Sequence, residues 1–572
     1  MEYFISYTEP HKHFITIELH LEGIKSDVLH LQIPAWRPGR YELQNYAKNF
    51  HQVKAFSKDS SKTLDVKKTT RNCWEITTNG ESNIIFSFQY YCAQMDAGGC
   101  WLDEDQVYLN FICCLPYLPE KINSPCAVHL NLPSNYQIAS GLKKKGYLLQ
   151  AKDYYELVDC PMIASTNLKH KQYTIDSTHF HIWIQGECQP DWQLVLPDFK
   201  KFSEEQIDSM GEFPEKDYHF LVQILPYKYH HGVEHRNSTI ICLGPGELFN
   251  SETFYNDFLS ISSHELYHAW NIIKIRPAEM LPYDFTKENY FNSGFIAEGI
   301  TTYYGDYFLV RSKAFNIQQY FHELNLLFKR HFENFGDAYM SVADSSFDLW
   351  VDGYVSGIPN RKVSIYVKGA MIALLLDLFI RKETNNKKSL DDVMKQMWKL
   401  YGKKSTGYIT ENFQAIAENI SDKKLKNFFN DFIFGTKPLT DTLKKSLNYV
   451  GCQLQIQDAK PESEKIFGFR TSTKEGRTFV ELLEPDSPGD KVLAREDEII
   501  AIDGNNVSGN LNDLLKGKKT SELVIQRFGK IKQVTLHATG TKTYFKQYKI
   551  AKNEEATEQE KINFKKWLKH EF

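Results

Sequence analysis

The 572-residue sequence predicts a multidomain α+β protein with a β-rich start, a helical middle and a return to strands near the end. Three observations predict this. From Met1 to about residue 170 apolar residues alternate at the period of a half-buried strand, as in Phe14-Ile15-Thr16-Ile17-Glu18-Leu19-His20-Leu21 and, less strictly, Ile84-Ile85-Phe86-Ser87-Phe88-Gln89-Tyr90-Tyr91. From 250 to about 445 the spacing becomes that of helices with one apolar face. After Gly451 short strand-like runs resume. The length is too great for a single hydrophobic core, so three or four domains are expected.

Composition narrows the class. A net charge of −4 gives no electrostatic reason for nucleic acid or an anionic membrane as a partner. No apolar run reaches the length of a membrane span, and Met1-Glu2-Tyr3-Phe4-Ile5-Ser6 lacks the basic-then-apolar pattern of a signal peptide. A soluble cytoplasmic protein is the expectation, or a periplasmic or secreted one if a leader has been removed. The ten cysteines, mostly before residue 200 and without C-x-x-C pairs, read as buried thiols in strands rather than a disulfide framework. Adjacent Cys113 and Cys114 are poorly placed to bridge one another.

The chemistry concentrates in Ile261-Ser262-Ser263-His264-Glu265-Leu266-Tyr267-His268-Ala269-Trp270-Asn271, which holds the spacing H-E-x-x-H. On a helix, His264 and His268 lie one turn apart on one face, and Glu265 projects beside them. The surroundings are helical. Ser251 can cap the segment, Glu252 suits the positive end of the dipole, and Phe254, Phe258 and Ile261 recur at helical spacing. Two histidines leave a catalytic zinc site one ligand short. Downstream, Ile296, Ile300, Tyr303, Tyr304, Tyr307 and Phe308 form an apolar stripe with Glu298 among them. A carboxylate buried there is costly unless paired or coordinated, the alternative being a solvated or salt-bridged Glu298 at the stripe's edge.

These residues resemble the thermolysin-like (gluzincin) zinc peptidases, whose third ligand is a glutamate on a second helix. His264-Glu265-x-x-His268-x-Trp270-Asn271, then Lys274-x-Arg276-Pro277, then Glu298-Gly299-x-Thr301-x-Tyr303-Tyr304, resemble more narrowly the M61 (glycyl aminopeptidase) family. The resemblance implies one Zn²⁺ per chain held by His264, His268 and Glu298, with Glu265 as general base. Four regions are expected: an antiparallel β-domain at 1–170 from its strand-like texture, a thermolysin-like domain at 171–448 with its mixed sheet at about 171–250 and helical lobe at 251–448, a domain at 449–542 whose Ile466-Phe467-Gly468-Phe469, Asp486-Ser487-Pro488-Gly489-Asp490 and Asp497-Glu498-Ile499-Ile500 resemble a PDZ domain, and a charged tail at 543–572.

Within the β-domain, Ile33-Pro34-Ala35-Trp36-Arg37-Pro38-Gly39-Arg40-Tyr41 resembles the family's amino-terminal signature. A turn whose Trp36 plugs a core explains it equally. Strand segments at 219–225 and 238–243 flank His231-Gly232-Val233-Glu234, where a glycine and a carboxylate at a strand's start would admit a peptide backbone and present an anion to a cation. By resemblance Glu234 grips the substrate's free amine, while Gly232 and Val233 pair with its backbone. The alternative is an ion pair between Glu234 and a neighbouring arginine or histidine.

Ser364-Ile365-Tyr366-Val367-Lys368-Gly369 resembles the Tyr-x-Lys-Gly segment of zinc aminopeptidases, making Tyr366 the candidate oxyanion donor. Ile365 stands where the family pattern usually has a second tyrosine, and an ordinary core tyrosine is the other reading of Tyr366. In the PDZ-like region Phe467, Gly468 and Phe469 would form the loop that holds a chain-terminal carboxylate. Glu496 replaces the usual glycine before Asp497 and alters the expected turn, so ligand binding and packing on the catalytic domain both fit. In the tail, sparse Ile562, Phe564, Trp567 and Leu568 suggest a docking helix.

The implied activity is a zinc aminopeptidase acting on peptides with small N-terminal residues, Gly or Ala. The alternatives are a zinc endopeptidase or other zinc hydrolase and, in another class, a non-catalytic PDZ-containing scaffold that binds peptides. Asn271, Thr302 and Asp306 are all close enough in sequence to orient the ligating histidines.

Overall fold

A computed structural model describes residues 1–572. The amino-terminal alternation becomes a ten-stranded sheet in which Phe14–Leu21 and Ile84–Tyr91 pair antiparallel along their whole length. Ile15, Ile17, Leu19 and Leu21 therefore share its buried face. A four-stranded sheet, Cys100–Leu102, Gln106–Leu109, Gln137–Ser140 and Met162–Ser165, adds a second layer. All ten cysteines are free. They are not confined to strands: Cys113 and Cys114 lie in the short helix Phe111–Cys114, and Cys73 and Cys188 are only partly buried.

The next layer is a five-stranded mixed sheet of β1 (Lys169–Ile175), β2 (Thr178–Gln185), β3 (Asp217–Ile224), β4 (Tyr229–Glu234) and β5 (Ser238–Gly244), in the order β1-β2-β3-β5-β4. The β2–β3 and β3–β5 pairs are parallel, and helix α1 (Trp192–Met210) connects β2 to β3. β4 runs antiparallel to β5 and forms an edge. Its outer side is open to an added strand.

The helical lobe begins with α2 (Glu252–Tyr267), whose Ser251 cap accepts from the Phe254 amide at 3.4 Å. A π-helical turn over Phe295–Ile300 runs into α3 (Thr301–Arg311). A capping box of Asn316 and Gln319 starts α4 (Ile317–Phe332), and Ser364 caps α5 (Ile365–Glu383). Trp36 plugs the joint between the β-domain and this lobe. It is fully buried, donates to the Asp284 carbonyl at 2.8 Å, and meets Tyr283 and Trp350 edge to face. No helix is long and apolar enough to cross a membrane.

Six strands between Phe469 and His537 form a separate sheet around a core of 12 buried residues. Strand Cys452–Asp458, inside the span 449–542, lies outside that sheet and pairs with Lys546–Lys552 of the tail. Arg470 fastens the module to the lobe, donating to Glu333 at 2.8 and 2.8 Å and to Glu464 at 3.0 and 2.9 Å. Helix α6 (Glu558–Leu568) buries Phe564, Trp567 and Leu568, while Ile562 stays exposed. The Tyr307 hydroxyl donates to the Trp567 carbonyl at 2.7 Å, and Arg381 donates to the Lys566 carbonyl at 3.1 Å.

Candidate metal centre and catalytic cleft

Helix α2 brings His264 and His268 onto one face with their Nε2 atoms 3.1 Å apart, and Glu298 Oε2 lies 3.4 Å from His268 Nε2. One ligand atom from each of the three falls within 4.8 Å of the others. A tetrahedral ion with ligands at about 2.0–2.1 Å separates them by about 3.3 Å, so the trio fits a zinc-sized cation. The donor chemistry agrees. Glu298 is only 2% exposed, and Glu265 Oε2 is buried with no hydrogen-bond partner. Three buried carboxylates, Glu234, Glu265 and Glu298, crowd two imidazoles, an excess of negative charge that a dication would compensate.

Small residues make this convergence possible. A Cβ on Gly305 of α3 would lie 3.2 Å from the His264 Cβ, and Ser263 donates to the Gly305 carbonyl at 2.7 Å. Gly299, beside Glu298, meets Gly369 of α5 backbone to backbone. The π turn widens the backbone at Glu298, as such turns often do at functional sites. Of the three candidates for orienting the ligands, Asn271 does it. Its carbonyl holds His268 Nδ1 at 2.9 Å, leaving Nε2 free toward the centre, and its amide donates to the Ile296 and Ala297 carbonyls at 2.7 and 3.2 Å. Asp306 instead accepts from Ser260 at 2.6 Å, and the Thr302 hydroxyl is unpartnered.

Glu234 ends β4, and a second group of Glu234, Glu265 and His268 also places its ligand atoms within 4.8 Å. Gly232 and Glu234 thus sit at the end of the edge strand, not at a strand's start. A Cβ at Gly232 would lie 2.3 Å from a Glu265 carboxylate oxygen, so a larger residue there would push that side chain aside. Val233 turns its side chain into the core. Glu234 forms no ion pair. The neighbouring basic side chains go elsewhere, His235 to Asp159 at 3.2 Å and Arg236 to Glu215 at 2.9 Å and Glu156 at 3.3 Å.

Burial pushes the Glu234 carboxyl up to about 7, with His268 pulling it down and Glu298 adding to the rise. Burial likewise raises Glu265 and lowers His264. Burial would also lower His268, but Glu234 and Glu298 overcome it and raise the imidazole to about 10. Both carboxylates favour the positive form of their neighbour, the response of a site shaped around a cation.

Two side chains that sequence reasoning passed over complete the cleft. Tyr41 donates its hydroxyl to Glu298 Oε1 at 2.9 Å, so the amino-terminal signature reaches the third ligand position. The signal was present in that segment but was carried equally well by Trp36. Tyr354 lies on the loop before α5, and its hydroxyl accepts from the Tyr41 amide at 3.1 Å. Nothing local in sequence marks it. Tyr366 is the second residue of α5, and burial first, then the nearby Glu298 carboxylate, raise its phenol well above the ordinary tyrosine value.

In the distal module Phe467 and Phe469 lie in the core, and Gly468 (φ 68°) is held by its carbonyl, which accepts from Glu484 N at 2.9 Å and Ser487 Oγ at 3.1 Å. Glu496 adopts φ 65°, so the left-handed backbone suited to glycine persists there despite the side chain.

Residues 2–166 match the Peptidase M61 N-terminal domain, and residues 257–372 match M61 glycyl aminopeptidase. A search of curated proteins returned no match. Among solved structures, an aminopeptidase N family protein from Idiomarina loihiensis is 24% identical and superposes with a TM-score of 0.90 over 99% of each chain, the same fold throughout. An M1 zinc metallopeptidase variant from Deinococcus radiodurans bound to a Tyr-Ser-Ala substrate is 12% identical with a TM-score of 0.48, covering 76% of this chain and 94% of its own. The second matched stretch contains His264, His268, Glu298 and Tyr366, the first contains Tyr41, and the chain accordingly carries the N-terminal and catalytic domains of the M61 peptidase family.

Proposed function

We propose that this peptidase is a zinc-dependent aminopeptidase that removes small N-terminal residues, glycine or alanine, from peptides. The observation that carries the reading is the convergence of His264, His268 and Glu298 on one point with Glu265 and Glu234 beside it. Zn²⁺ held by that trio would polarise the scissile carbonyl and acidify water. Glu265, buried and with one oxygen free, takes the proton from the attacking water and delivers it to the leaving amine. A carboxyl already raised by burial is suited to hold that proton in passing. Glu234 receives the substrate's ammonium, whose charge offsets the carboxylate crowding, and the edge of β4 at Gly232 and Val233 pairs with the peptide backbone. Tyr366 donates to the oxyanion.

The domain limits proposed are 1–170, 171–448, 449–542 and 543–572, with the third a PDZ-like module whose Phe467-Gly468-Phe469 loop opens an edge strand. The cytoplasm is the proposed compartment, in keeping with ten free thiols. The test is metal analysis with turnover of a panel of aminoacyl reporters, with and without chelator. One zinc per chain and chelator-sensitive release of glycine or alanine are expected. Turnover of amino-blocked peptides alone would replace the aminopeptidase reading with an endopeptidase one.

A further inference from the structure

The surface that meets Glu234 at the end of β4 comes from the amino-terminal domain. Arg37-Pro38-Gly39-Arg40 is a β-turn in which the Arg40 amide donates to the Arg37 carbonyl at 3.3 Å. Proline stands second and a glycine with φ 76° third, the residues that suit a type II turn. The turn lies directly against the carboxylate. A Cβ on Gly39 would fall 2.5 Å from Glu234 Oε2, 3.1 Å from the Glu234 carboxyl carbon and 3.2 Å from Val233 Cγ1. The positive φ favours glycine, and the carboxylate leaves no room for a methyl group unless Glu234 swings away.

Both flanks of the turn are fastened to the catalytic lobe. Before it, the Ala35 amide donates to the Phe285 carbonyl at 2.7 Å and Trp36 Nε1 to the Asp284 carbonyl at 2.8 Å. After it, the Tyr41 amide donates to the Tyr354 hydroxyl at 3.1 Å and the Tyr41 hydroxyl to Glu298 Oε1 at 2.9 Å. A turn held on both sides yields less readily than the end of a flexible side chain, so the strain of a larger residue at 39 falls on Glu234. We infer that Gly39 is a specificity-determining residue of the amine subsite. By presenting no side chain it seats the Glu234 carboxylate, and its turn walls the cleft where a peptide's amino terminus stops. In that seat one Glu234 oxygen stands within 4.8 Å of ligand atoms of Glu265 and His268. Displacing the carboxylate removes the charge-assisted partner of a substrate ammonium and leaves His264, His268 and Glu298 in place. Selection of a free amine is therefore shared between domains: β4 supplies the carboxylate and the amino-terminal turn sets where it sits.

The catalytic consequence rests on the aminopeptidase reading, whereas the contact itself can be measured apart from it. In the full-length zinc-loaded protein, Gly39→Ala should weaken the binding of glycine hydroxamate, followed by calorimetry, ~10-fold or more. Acetohydroxamate, which lacks only the amine, should bind within ~2-fold of wild type. Gly80→Ala is the control, since its φ of 81° imposes the same backbone strain while a Cβ there meets nothing within 4 Å. It should bind both probes as wild type does. Gly39→Ala should also melt below Gly80→Ala, and most of that extra loss should disappear when both are made in Glu234→Ala. Unaltered binding of glycine hydroxamate, equal weakening of both probes, or an extra loss that persists without the Glu234 side chain would each overturn the role of Gly39. If wild type binds the two probes equally well, the aminopeptidase reading falls, and the melting temperatures still decide whether Gly39 seats Glu234.

Discussion

The contact between Gly299 and Gly369 gives a sharp test, because it sits between the third ligand and the helix that bears Tyr366. In Gly369→Ala the new Cβ would lie 2.7 Å from Gly299 Cα, 3.1 Å from Phe295 Cα and 3.2 Å from the Phe295 carbonyl. All three are backbone atoms with no rotamer through which to yield. Carbon atoms rest at about 3.5–4.0 Å, so the π turn must retreat from α5 by ~0.8 Å. Overpacking of this kind costs ~1–3 kcal/mol, and alanine's better helix propensity returns ~1 kcal/mol. The net loss of stability is therefore modest, but Glu298 is carried by the moving segment. Its 3.4 Å spacing to His268 opens by a large part of that shift, well beyond the ~0.2 Å tolerance of a metal site. Zinc affinity, measured by competition with a chromophoric chelator, should fall ~10–100-fold. Gly357→Ala, where a Cβ meets nothing within 4 Å, is the matched control and should leave affinity unaltered. Affinity within ~2-fold of wild type in Gly369→Ala would mean that this backbone contact does not set the position of Glu298.

Three other outcomes follow from the same geometry. Glu265→Gln should keep metal and fold while losing ~10²–10⁴-fold in turnover, and near-normal hydrolysis would remove Glu265 as the base. Glu234→Ala should damage cleavage of free-amine peptides far more than of amino-blocked ones; equal damage would argue against recognition of the ammonium. The third concerns His219 and His170, which burial pushes down to about 3 and about 4, with His181 and Lys144 adding to the fall. Histidine in the unfolded chain titrates near 6.5, so the unfolded state binds more protons below that value. The stabilisation is complete above pH ~6.5 and is lost as pH falls toward the folded values. His219→Asn keeps an acceptor for Trp183 Nε1, which now donates to His219 Nδ1 at 3.1 Å, but cannot take up a proton. Its melting temperature should fall less steeply than wild type between pH 6.5 and 4, and parallel curves would contradict the argument.

What could be read in sequence was what local spacing determines. The α2 segment carries its own cap, its apolar stripe and both imidazoles within Ser251–His268. Glu298 stood out because an ionisable group among six apolar residues needs a reason to be there. The π turn around it left no such mark, since it arises where Gly299 meets a backbone 70 residues further on, roughly the reach of a tertiary contact and not of a periodic pattern. Tyr41 is 257 residues from the carboxylate it holds, and a tyrosine in a turn looks the same whether its hydroxyl meets solvent or a ligand. Asn271, Thr302 and Asp306 were equivalent by distance along the chain, and only the path of the backbone after His268 separates them. The strand Lys546–Lys552 escaped notice because its lysines recur at every third residue, which is not the period of a half-buried strand, and because it is completed by Cys452–Asp458, almost a hundred residues earlier.

Helix α6 has a bearing on when the enzyme comes into being. Its Trp567 carbonyl is the acceptor for Tyr307 and its Lys566 carbonyl for Arg381, side chains that otherwise face one another in the interior of the lobe. During synthesis those groups wait for residues that leave the ribosome after the whole catalytic segment has emerged. Until α6 docks, the helices bearing Glu298 and Tyr366 keep an open seam and two buried donors without their acceptors. The last helix thus completes the packing behind the cleft while contributing no atom to it.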